Sequence, residues 1–121
     1  MITCLLECCF SNPELGAMIN LSELGENDLV KLLFSENAGI ILQAADDTIE
    51  SELYNVGIPF NKIGVVTDSG MLQLMHSDMV DFDVEEYRDY WYETSYLLDQ
   101  HQTANGLAKV RFEQYLSLIH I

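Results

Sequence analysis

Phe60-Asn61-Lys62-Ile63-Gly64-Val65-Val66-Thr67-Asp68-Ser69-Gly70-Met71-Leu72-Gln73-Leu74-Met75-His76 is the stretch on which the fold class turns. A β-branched run, a three-residue turn and a second apolar run predict a strand, a tight turn and a hairpin partner. The chain before it alternates. Residues 1–11 read as a helix with Ile2, Leu5, Leu6, Cys9 and Phe10 on one face, ended by Ser11-Asn12-Pro13. Gly16-Ala17-Met18-Ile19-Asn20-Leu21 reads as a strand, and residues 22–25 as a turn. Glu26 and Asp28 open a second helix that carries Leu29, Leu32 and Leu33. Gly39-Ile40-Ile41-Leu42-Gln43-Ala44 is almost wholly apolar, which predicts a central strand covered on both faces. Asp46 caps a third helix bearing Ile49, Leu53 and Val56, with Gly57 as its stop. A hairpin after such alternating units predicts an α+β fold, a mixed β-sheet with helices packed on it.

Downstream, Met79-Val80-Asp81-Phe82 reads as one more short strand. Asp83 and Glu86 then make a capping-box-like helix start. The helix that follows holds the single tryptophan and four of the six tyrosines. Tyr87, Tyr90, Trp91, Thr94 and Leu98 recur at helical spacing, so one face is predicted to be aromatic and to need a cover. A sheet of the same chain is the ordinary cover, and a partner domain is the functional one. Thr103 is a candidate cap for a last helix with Leu107, Val110 and Tyr115.

At 121 residues the chain suits one modest core. Hydrophobic residues make up 49%, enough to fold. With 5 basic against 20 acidic residues the net charge is −15, which leaves no basic footprint for nucleic acid or for an anionic membrane. No apolar run is long enough to span a bilayer, and the opening residues lack the basic flank of a signal peptide. Cys4, Cys8 and Cys9 crowd into one helix with no histidine nearby, so they read as buried small hydrophobes in a reducing compartment. His76, His101 and His120 are scattered without metal-ligand spacing. The paired acids Asp46/Asp47, Asp81/Asp83 and Glu85/Glu86 fall at helix starts and read as caps and solvated faces, although carboxylate pairs are also Mg²⁺ ligands. Glu36 differs. It lies in a loop between a helix and the predicted central strand, where binding groups concentrate.

Two segments carry a family resemblance. Leu33-Phe34-Ser35-Glu36-Asn37-Ala38-Gly39-Ile40-Ile41-Leu42-Gln43 resembles the L-F-x-E-x-x-G-hydrophobic segment of phosphoribosylformylglycinamidine synthases. Arg88-Asp89-Tyr90-Trp91-Tyr92-Glu93-Thr94-Ser95-Tyr96 is similar to their R-x-x-W-x-E-T-[ST]-aromatic segment. Met1 to Phe10, with Glu7 and Phe10, resembles the helix after that family's Asp-Gly-Gly turn. The order is kept over residues 1–116, and Ser117 to Ile121 match nothing in the family. Asn37 stands where the family often has a second acid.

The resemblance implies a piece of a large cytoplasmic ligase. It would be the C-terminal half of the second aminoimidazole-ribonucleotide-synthetase-like repeat. Residues 1–100 would be its α+β domain, and 101–121 a helical linker toward a glutaminase domain. The whole enzyme makes formylglycinamidine ribonucleotide from formylglycinamide ribonucleotide, glutamine and ATP, with Mg²⁺ neutralising phosphate charge. Its nucleotide and metal ligands lie in segments before Met1, so the resemblance implies no catalytic, cofactor or metal residue here, with Glu36 as the one loop candidate. Arg88, Trp91, Glu93 and Thr94 are the implied interdomain contacts. The partners implied are the other domains of the synthase, and an uncovered aromatic face predicts a homodimer of the isolated chain. The alternative is a free-standing acidic α+β interaction domain that uses the aromatic helix 84–98.

Overall fold

A computed structural model describes residues 1–119, apart from the side chain of Ile119; His120 and Ile121 lie outside the described residues. The elements run α1 (Ile2–Cys9), β1 (Gly16–Asn20), α2 (Leu29–Phe34), α3 (Thr48–Asn55), β2 (Gly64–Thr67), β3 (Met71–Met75), β4 (Met79–Asp83), α4 (Val84–Gln102) and α5 (Leu107–Ile119). The fold is α+β with a four-stranded mixed sheet, as the alternation predicts. The chain divides into two compact units, residues 1–84 and residues 85–121. From Glu85 on, the aromatic helix falls in the same compact unit as the last helix.

In the first unit the sheet order is β2-β1-β3-β4. β2 and β3 both form where the sequence places strands, but they do not pair. β1 lies between them, antiparallel to β2 (Met18 opposite Val65) and parallel to β3 (Met18 opposite Gln73). Alternation fixes which residues extend and not which strand lies next door. Two glycines make room for the inserted strand. A Cβ on Gly16 would stand 2.1 Å from the Met71 carbonyl oxygen, and one on Gly64 would stand 2.1 Å from that of Met18. β3 and β4 form the true hairpin, with Gln73 opposite Asp81.

Cross-strand register sorts the two faces. Ile19, Leu72 and Leu74 share one face and are buried, with Val80 and Phe82 half-buried beside them. α1 packs against β3, and its Ile2, Leu5 and Leu6 are buried, as are Leu32 and Leu33 of α2. The Met1 nitrogen donates to Leu33 O at 3.0 Å and ties α1 to α2. Leu21, Leu72, Leu74 and Val84 are the most deeply enclosed side chains. The other face carries Met18, Val65, Met75 and Met79, all exposed.

Several local expectations change. Residues 39–44 form no strand: Ile40 is 89% exposed and Leu42 55%. An apolar run is compatible with a central strand, but β1 occupies the centre of this sheet. α2 starts at Leu29, one turn's end later than the acids suggest. Asp28 caps it by accepting from Val30 N at 3.0 Å, while Glu26 accepts from Asp28 N. Asp46 is not the cap of α3: the N-cap position is Asp47, whose side chain makes no capping bond, and Asp46 accepts from Thr48 N at 2.9 Å from one residue further out. No residue of α3 is buried and Val56 is 70% exposed, so its apolar stripe covers little. Cys4 and Cys8 are exposed and not buried; the buried side of α1 is set by Ile2, Leu5 and Leu6, and only Cys9 shares it in part. Burial pushes the Cys9 thiol up from its ordinary value. Burial, then Cys4, does the same for Cys8, so neither is an activated thiolate.

Candidate functional site

The second unit is an αα-hairpin. Thr103 does not cap the last helix. Its hydroxyl donates to Asp99 O at 2.9 Å and closes the end of α4, after which Gly106, at φ +87°, turns the chain into α5. The helices then meet through matched pairs. Asp99 accepts from Arg111 Nε at 2.9 Å. Tyr96 stacks on Phe112 at 4.6 Å between ring centroids, and Tyr92 stacks on Tyr115 at 3.5 Å. The Tyr115 hydroxyl donates to Asp89 Oδ1 at 2.9 Å. From Asp99–Arg111 through Tyr96–Phe112 to Tyr92–Tyr115 each pair steps back along α4 as it steps forward along α5, the register of an antiparallel hairpin. Ala108 is buried, and a small side chain there lets the helices approach.

This arrangement has an electrostatic signature. Burial, then the hydrogen bond to Asp89, pushes the Tyr115 hydroxyl up to about 12, against a partial opposing pull from Arg88. The phenol stays neutral and stays a donor.

The inner face of α4 is thus Asp89, Tyr92, Tyr96 and Asp99. The stripe read from spacing lies elsewhere on the helix. Tyr90, Trp91 and Leu98 are 54%, 46% and 59% exposed. Tyr90 donates to Glu86 at 3.0 Å and the Thr94 hydroxyl donates to Tyr90 O at 3.0 Å, so the outer row is braced along the helix. Trp91 sits edge-on to Tyr92 at 5.1 Å. Of the four implied contact residues, Trp91, Glu93 and Thr94 are exposed, while Arg88 is buried beside Tyr115. The α5 partners Arg111, Phe112 and Tyr115 were not legible as a set, although Asn105-Gly106 between two aromatic runs is the turn signal that announces them.

Glu36 stands exposed in an unpaired segment of the first unit. Among the described residues no three His, Cys, Asp or Glu side chains converge as metal ligands. Asp47 instead accepts from Lys62 Nζ at 2.8 Å, and Glu50 holds the same ammonium at 2.9 Å. No helix among the described residues is long and apolar enough to cross a membrane. Compared with known proteins, the chain matches no family model and no solved structure.

Proposed function

We propose that this chain is a non-catalytic part of a cytoplasmic purine-biosynthesis ligase of the phosphoribosylformylglycinamidine synthase type. In this reading its sheet unit is aminoimidazole-ribonucleotide-synthetase C-terminal-like. ATP and Mg²⁺ belong to the whole enzyme and are held outside this chain. Its work is to dock neighbouring domains, including the glutaminase. The observation that supports the reading most is the two-sided character of α4. One side is consumed by stacking and hydrogen bonds to α5, while Tyr90, Trp91 and Leu98 stay about half exposed on the other. Aromatic side chains held rigid on a helix are effective docking groups. The resembling segment Arg88 to Tyr96 lies on that helix.

Trp91 is the only tryptophan, so its emission reports this surface directly. Mixing the chain with the glutaminase domain of such a synthase is expected to shift Trp91 emission to the blue, and Trp91→Ala is expected to abolish binding as read by sedimentation. Calorimetry with Mg²⁺-ADP is expected to show no heat of binding. Saturable Mg²⁺-ADP binding, or an unmoved Trp91 at saturating glutaminase domain, overturns the reading. A Trp91 shift only with an unrelated protein partner would instead favour a free-standing interaction domain that uses α4.

A further inference from the structure

Residues 36–45 make no backbone hydrogen bond among the described residues. The last bond of α2 runs from Ser35 N to Lys31 O, and the next along the chain is Thr48 N to Asp46 Oδ1. Within this segment Asn37 to Ala45 carry no charge in a chain of net −15. Ile40 and Ile41 in it are β-branched, and Ile40 stands in water, 89% exposed. Exposed apolar residues on unpaired backbone are the ingredients of an added strand.

The same unit carries an acceptor for one. β2 ends the sheet, with only β1 beside it. Ile63 O accepts from Asn20 N at 2.6 Å, so Ile63, Val65 and Thr67 point their backbone groups toward β1. Antiparallel alternation then turns those of Gly64 and Val66 outward, to an edge with no strand on it among the described residues. Val65 and Val66 are 59% and 47% exposed. Ile63 to Thr67 is also free of charge.

We propose that the outer edge of β2 takes the 39–44 segment of a second copy of this chain, the two copies exchanging segments about a two-fold axis. The occupant is a second copy because one chain carries both halves of the contact, which makes the interface self-complementary and closed. It is also the pairing that charge permits. Two molecules of −15 repel one another, and neither of these two stretches adds a charge of its own to that repulsion. The proposal does not rest on the synthase reading and uses a different surface from α4.

Sedimentation of the whole chain across the micromolar range tests it. The wild-type chain is expected to dimerise, and more tightly as salt screens the like charges. Ile41→Pro breaks the segment. Val66→Pro removes an outward N–H and leaves the β1 ladder its donors. Each variant, checked for retained fold by circular dichroism, is expected to weaken dimerisation by about tenfold or more. Mixing the two is expected to restore association, since the intact edge of one accepts the intact segment of the other. Trp91 emission is expected to stay constant with chain concentration. A monomeric wild-type chain overturns the proposal. So does a dimer that persists in both variants, a mixture that stays monomeric, or a Trp91 shift showing that copies pair through α4.

Discussion

The two units of this chain are held together by different physics. The sheet unit closes around enclosed aliphatic side chains, with Leu21, Leu72, Leu74 and Val84 shut away from solvent. The helical hairpin is fastened by stacked rings and polar bonds at a surface: Tyr92 on Tyr115, Tyr96 on Phe112, Asp89 to the Tyr115 hydroxyl, Asp99 to Arg111. The first kind of contact draws on area removed from water and has no preferred direction. The second draws on geometry and on the charge state of its members. The contrast teaches where each unit is vulnerable. The sheet unit should fail through lost volume or crowding, and the hairpin through lost partners or pH.

Leu74→Ala should be the most damaging change, costing about 3 kcal/mol, because a cavity would remain in the middle of the sheet face. Denaturant unfolding measures it, and a cost no larger than that of a hairpin substitution would erase the contrast. Gly64→Ala should cost about 2 kcal/mol through backbone crowding, since its Cβ has no room beside the Met18 carbonyl. Full stability in that variant would mean that β1 need not lie so close to β2.

Tyr115→Phe keeps the ring stack and removes the bond to Asp89, so a loss of about 1 kcal/mol is expected. The same hydroxyl sharpens the comparison by pH. Its pKa is raised in the folded chain to about 12 from an ordinary value of 10.0. The stabilisation is therefore fully present below pH 10 and is lost as pH rises from 10 through about 12. Helicity of the wild-type hairpin should fall across that window, and Tyr115→Phe should remove this component of the fall. Lys62→Ala should have the smallest effect, with no resolvable change in the denaturation midpoint. Its contacts to Asp47 and Glu50 are exposed and screened, although they hold its ammonium above the ordinary range.

Much of the local structure was legible in the residues. The strand at 79–83, the helix beginning beside Asp83, Asp28 at a helix start and Gly57 at a helix stop all follow from propensity and capping, which act within a few residues. The aromatic face of α4 was legible only in part. Spacing found an aromatic row, but which side α5 would take depends on Ala108, Phe112 and Tyr115, whose relation to α4 appears only once the chain has turned at Gly106.

The sequence by itself determined the α+β class, the four strands that form (with a fifth, at 39–44, that does not) and the aromatic character of α4, because alternation, helical spacing and caps are short-range. The tertiary structure decided who pairs with whom. It put β1 between β2 and β3, left Ile40 and Leu42 in water and turned Cys4 and Cys8 outward. Those outcomes are competitions for neighbours, and an apolar residue carries no label for the neighbour that will cover it.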